Sequence, residues 1–233
     1  YNMNEWNEMN NTENNGGSIS AFTQGTLSER AYNVAIGAHL LVGLVITYFL
    51  ALRMPYVFPQ IYSVHPIVFS IGFLAVGLIG GRIAAKGNYI LSLVGYGMNV
   101  LAFGTLLSLV TVLYPVQYIV LAALLTTVVV LTMTVAAVIF PNAFLSMGKT
   151  LFLALIGLVV AEVVSLILGV FYPNIFAIIG IFIFSLYVGY DWARGQQYPS
   201  TASYACFTAL QLYMDIINLF LRILRLLARS RRR

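Results

Sequence analysis

Past a polar opening stretch, the chain alternates long apolar runs with short polar punctuation, and the runs are longer than a soluble core requires. A helix crossing a bilayer needs about 20 predominantly apolar residues. On that measure the pattern predicts seven spans, at about residues 31–52, 64–81, 89–113, 117–140, 145–171, 174–192 and 202–227. Proline or a basic residue marks nearly every boundary, as helix-stop rules expect. Arg53-Met54-Pro55 should end the first span, and Tyr114-Pro115, Pro141-Asn142 and Tyr172-Pro173 separate later ones. Residues 1–28, rich in Asn, Gly, Ser and Glu, read as a disordered polar arm. They lack the charged, apolar and small-residue succession of a removed signal peptide. The expected organisation is this arm, a transmembrane domain over residues 29–227, and a basic tail over residues 228–233. The fold class is an all-α membrane bundle.

Composition narrows the class further. Hydrophobic residues make up 61% of the chain and charged residues 8%, against about 25% charged in a soluble domain. A soluble globular fold is excluded, and an integral multi-pass protein is expected. The single cysteine, Cys206, supports neither a disulfide framework nor a thiolate metal cluster. The net charge of +5 owes most to Arg222, Arg225, Arg229, Arg231, Arg232 and Arg233. Beside a membrane helix, such a cluster reads as contacting anionic lipid headgroups, and no nucleic-acid role is expected. Arg30, Arg82, Lys86, Lys149 and Arg194 lie on the side of the N-terminus, while Arg53 and the tail lie on the other. The positive-inside rule therefore pulls both ends towards the cytoplasm, which an odd number of full spans forbids.

Only seven acidic residues exist, and Glu5, Glu8, Glu13 and Glu29 sit in or just after the arm. Asp191 and Asp215 instead lie in apolar sequence, where an ionisable group costs a few kcal/mol and marks a candidate site. At 100° per residue, Gln211, Asp215, Asn218, Arg222, Arg225 and Arg229 fall within about 40° of one line. A stripe of this kind cannot face lipid, so the last helix must be buried among the others or line a watery path. If the sixth helix runs a turn past Trp192, the hairpin brings Asp191 and Asp215 to similar depth. Two carboxylates sharing a site titrate as a unit. Such a pair suits a proton sensor or an oxygen-rich site for Ca²⁺. The rival arrangement pairs each aspartate separately with Arg222 or Arg225, with Asn218 as a bridge. Glu162, in the fifth span beside Ser165, reads either as a third acid facing the interior or as a protonated, hydrogen-bonded group. His39 and His65 read as packing or interfacial histidines, and Asn99 as a helix-to-helix hydrogen bond.

Phe184-Ser-Leu-Tyr-Val-Gly-Tyr-Asp191 and Leu210-Gln-Leu-Tyr-Met-Asp-Ile-Ile-Asn-Leu-Phe220 closely resemble the signature of the Bax inhibitor-1 family (transmembrane Bax inhibitor motif proteins), in a prokaryotic-type member. The resemblance implies seven helices, the last central and wrapped by six. It also implies a pH-sensitive calcium leak of the cell membrane, gated by paired aspartates that fall on Asp191 and Asp215. Ca²⁺ would be the permeant ion and H⁺ the modulator, with no other cofactor. The arginine that contributes to gating in the family matches Arg82, and the arginine ten residues after the second aspartate matches Arg225. Some relatives pair that last arginine with a glutamate of the second span. Residues 64–81 hold no acid here, which leaves Glu162 as the substitute.

Among enzymes, the sharpest rival is an intramembrane aspartyl protease, whose Tyr-Asp fragment matches Tyr190-Asp191. Its second half fails: Leu212-Tyr-Met-Asp215 lacks the Gly-x-Gly-Asp glycines, and no Pro-Ala-Leu follows. No enzymatic role is expected. A retinal protein needs a lysine in the last span, and the only lysines are Lys86 and Lys149. A non-transporting regulator of protease, cell-death or stress partners remains the alternative, and it would be indifferent to Asp215→Asn.

Overall fold

The computed structural model describes residues 25–57, 66–170 and 172–230. Most of the polar arm therefore lies outside the described residues, as do Pro59, His65, Phe171 and Arg231 to Arg233. Among the described residues there are eight helices and no strand: α1 (Glu29–Val57), α2 (Pro66–Ala84), α3 (Tyr89–Leu113), α4 (Val116–Ile139), α5 (Pro141–Ser146), α6 (Gly148–Ile167), α7 (Pro173–Gly195) and α8 (Ala202–Ser230). Six of them, α1, α3, α4, α6, α7 and α8, are long and apolar enough to cross a membrane, while α2 contributes the shorter apolar stretch Ala75–Ala84. The described residues are all-helical, and the protein is a multi-pass membrane protein.

The expected boundaries need two corrections. Pro55 does not end the first helix, which continues to Val57 with the proline inside its last turn. A proline there removes one backbone donor, a small loss against the preceding 26 helical residues. The fifth span is shorter than the expected 145–171: α6 covers Gly148–Ile167, and a separate short helix, α5 (Pro141–Ser146), fills the expected connection before it and ends at Met147. Before it, Phe140 leaves helical geometry (φ −124°, ψ 55°) because the residue preceding a proline is pushed out of the α region. The short α5 then docks on α7: Phe144 packs against Gly189, and Tyr190 of α7 packs against Gly148. A side chain at either glycine would collide with the ring opposite it.

Local signals close the connections. Asn88 Oδ1 accepts from the N–H groups of Ile90 (2.9 Å) and Leu91 (3.3 Å), capping α3. Gly87 and Gly169 adopt positive φ (74° and 70°), which glycine takes without a Cβ penalty. Gly95 of α3 meets the backbone of Gly80 and Ala84 on α2, so this helix pair packs almost backbone to backbone.

The core is organised on α8, which packs against α7, α1, α3 and α4 and touches α2. One side places Cys206, Leu210, Tyr213 and Ile217 against Tyr96, Val100 and Phe103 of α3. Another places Ala205, Ala209 and Leu212 against Tyr32 and Ile36 of α1 and Val188 of α7. A third, lower down, places Leu219, Phe220, Ile223 and Leu224 against Ala122 of α4 and Phe184 of α7. Large apolar side chains of α4 and α6, such as Val128, Leu131, Leu153 and Val160, point outward.

Candidate functional site

Two close contacts set the register between α7 and α8. Gly195 abuts Thr208, and the same level is tied by the Tyr32 hydroxyl, which donates to the Gly195 carbonyl (2.8 Å) and hydrogen-bonds Thr208 Oγ1 (3.3 Å). Fifteen residues earlier on α7, Gly180 makes room for Arg222, fourteen residues after Thr208 on α8; a Cβ at Gly180 would lie 2.8 Å from Arg222 Cδ. The two helices therefore run antiparallel in one register over about 21 Å, at 1.5 Å per residue. Asp191 lies four residues from Gly195, and Asp215 lies seven from Thr208. Their offset along the axis is about 4.5 Å, less than one helical turn.

The extension of α7 to Gly195, three residues past Trp192, is what brings the aspartates level. Their side chains approach to hydrogen-bonding range, and both are buried, 6% and 7% exposed. The second Asp215 oxygen, Oδ2, is buried without a hydrogen-bond partner among the described residues, and so is Gln211 Oε1 one turn earlier. Tyr187, one turn before Asp191, lies within the electrostatic reach of both carboxyls. Arg194 is the cation close to Asp191. Its guanidinium sits between the rings of Tyr190 and Tyr198, 5.9 and 5.8 Å from their centroids. In the α7–α8 connection Tyr198 also stacks on Tyr204 (5.2 Å). Burial pushes its phenol above the ordinary range, opposed by Arg194, so it remains a neutral hydroxyl.

Two turns along α8 lies a second polar knot. Arg222 donates to both oxygens of Glu162 on α6, with Nη2 to Oε2 at 3.3 Å, and its Nη1 also donates to the Phe176 carbonyl at 3.1 Å. Its guanidinium lies 5.9 Å from the Phe184 ring. Arg222 thus ties α6, α7 and α8 together across the space left by Gly180. This corrects the expected pairing: Glu162 takes Arg222, not Arg225, as its partner. Arg222 is consequently not a partner of Asp215, which faces Asp191. Arg225 lies half-buried near Arg222, Arg229, Glu162 and Tyr114. Asn218 does not bridge aspartate and arginine; its Nδ2 donates to the Met214 carbonyl of its own helix (2.8 Å). Asn99 likewise bonds within α3, to the Gly95 carbonyl (2.9 Å), while its amide packs on Gly80. His39 holds Ala35 O (2.7 Å) and the Tyr89 hydroxyl (3.1 Å), a packing role.

The family model described as inhibitor of apoptosis-promoting Bax1 matches residues 26–232, nearly the whole chain. This chain belongs to the Bax inhibitor-1 family. Two uncharacterized proteins of Helicobacter pylori, from strains 26695 and J99, are each 36% identical over 107 residues. Each match spans 44% of this chain and 44% of the relative's own length. Of the arginines that the family resemblance singles out, Arg82 is exposed at the end of α2 and is not among the groups acting on either aspartate. Sequence reasoning overlooked Tyr187, Arg194 and the two seam glycines. Tyr187 was legible as the residue one turn before Asp191. The glycines were not, because only the partner helix shows what a Cβ would strike.

Proposed function

We propose that this Bax inhibitor-1 family member is a pH-sensitive calcium leak pathway of a prokaryotic cell membrane, a seven-span bundle whose central helix α8 carries the sensor. Its role is transport and not catalysis. The observation that carries this reading is the meeting of Asp191 and Asp215 inside the α7–α8 seam, while Arg222 is occupied by Glu162. Two carboxyls hydrogen-bonded to each other hold a proton between them. Raising the pH removes that proton and leaves two negative charges in contact. At about 4 Å and an effective dielectric of about 20 they repel by roughly 4 kcal/mol. That repulsion either parts α7 from α8 or draws in a cation. Acidification restores the proton and the contact, so protons and Ca²⁺ compete for the same oxygens.

The site suits passage better than storage. Ca²⁺ takes 6–8 oxygen ligands, and no cluster of three or more His, Cys, Asp or Glu gathers among the described residues. A cation at the pair would keep part of its water shell and move on. A cleft of about 410 Å³, lined by Lys86, Asn88, Tyr89, Thr201, Ser203 and Tyr204, opens where α8 begins.

The test is flux in liposomes loaded with a calcium dye. Wild-type protein should pass Ca²⁺ with a rate that changes with pH, and Asp191→Asn and Asp215→Asn should each remove the pH response. Unchanged flux and pH response in both variants would sink the sensor. No flux from folded wild type would favour the non-transporting regulator.

A further inference from the structure

The C-terminal end of α8 carries more positive charge than the described residues neutralise. Arg222, Arg225 and Arg229 recur at spacings of three and four, which places them on one face of the last turns of α8. The described acids are Glu29, Glu162, Asp191 and Asp215, and at this end only Glu162 is within reach. Both of its oxygens are taken by Arg222. Arg225 is half-buried, flanked by two like charges, and has no hydrogen-bond acceptor among the described residues. A partly desolvated guanidinium left without an anion is costly.

The surroundings say what the missing anion is. Arg225 lies five residues from the end of α8, and Tyr114, beside it, stands at the junction of α3 and α4. Tyr114 and Tyr118 pack, partly buried, against the apolar cluster that holds Leu219, Phe220, Ile223 and Leu224 of α8. Basic side chains above, tyrosines at one level and apolar surface beneath is the profile of a phospholipid at the membrane interface. Guanidinium groups bind phosphate, like carboxylate, in bidentate fashion.

We propose that Arg225 and Arg229, with Tyr114, form a stoichiometric site for the phosphate of an anionic phospholipid, distinct from diffuse attraction to the basic tail. The lipid supplies the counter-charge that the described residues lack.

Native mass spectrometry of the full chain in detergent with equal phosphatidylglycerol and phosphatidylcholine tests this. Wild type should retain one phosphatidylglycerol in preference to phosphatidylcholine. Arg225→Gln should lower that retention by about fivefold or more, the factor expected for one basic group at an anionic surface. Arg229→Gln, on an exposed side chain that tolerates change, should lower it in the same direction and keeps the test open if Arg225→Gln does not fold. Replacing Arg231, Arg232 and Arg233 together by glutamine should leave it intact. Three outcomes overturn the site: no lipid preference in wild type, loss only in the tail variant, or thermal stabilisation by inorganic phosphate equal to that by the lipid.

Discussion

Helices α8 and α4 reverse the rule that governs soluble proteins. The most apolar stretch of α4 has a mean hydropathy of 2.5 and is 11% buried, whereas that of α8 has 1.4 and is 61% buried. α6 matches α4 on both measures. In water the greasiest helix would be the most covered. In a bilayer, lipid tails already solvate apolar side chains, and burial is driven by close packing and by polar groups that need partners. The inner helix therefore carries Asp215, Asn218, Arg222 and the seam contacts, and the outer helices carry Val and Leu. Polarity, not greasiness, marks the centre of this molecule.

The largest test of that contrast is the Glu162–Arg222 pair. Glu162→Gln should leave an uncompensated, mostly buried guanidinium and cost about 3–5 kcal/mol, read as the unfolding midpoint in mixed micelles. The double variant Glu162→Leu, Arg222→Leu should recover most of that loss, because lipid and core accept apolar groups. Failure of the double variant to recover would mean that the pair's geometry, and not its charge, holds α6 to α8.

Next in size is a comparison of glycines. Gly195→Val strikes Thr208 in the α7–α8 seam and should cost about 1–3 kcal/mol from overpacking. At Gly157 on the outer face of α6 an added Cβ meets nothing within 4 Å. Gly157→Ala should stabilise by about 0.5–1 kcal/mol through helix propensity. Equal effects at the two positions would break the inner-versus-outer distinction. The smallest effect is expected on the lipid face of α4, where Val128 is 61% exposed. Val128→Leu should change the midpoint by no more than about 0.5 kcal/mol, and a larger shift would place that face against protein.

Much of this was legible before any coordinates. Run length locates the six helices that are long and apolar enough to cross a membrane, and for α3 it gives both ends, Tyr89 and Leu113. The 100° wheel put Gln211, Asp215, Asn218 and the arginines on one stripe, and membrane physics required that stripe to be covered. Periodicity alone does not show the break at Met147, which divides the run after Pro141 into α5 and α6.

What periodicity cannot supply is the depth and rotation of a neighbouring helix. Glu162 was visible as a lone acid in the fifth span, but its partner depended on how α6 sits against α8, and it chose Arg222. Asn99 and Asn218 were read as bridging groups, yet each satisfied a carbonyl four residues back on its own helix, the nearest acceptor available. By itself the sequence determined which residues must be hidden from lipid, because composition and spacing set that requirement locally. Only the tertiary structure decided what they meet. The register of α7 on α8 depends on two glycines, Gly195 and Gly180, whose missing side chains matter only once Thr208 and Arg222 lie opposite them.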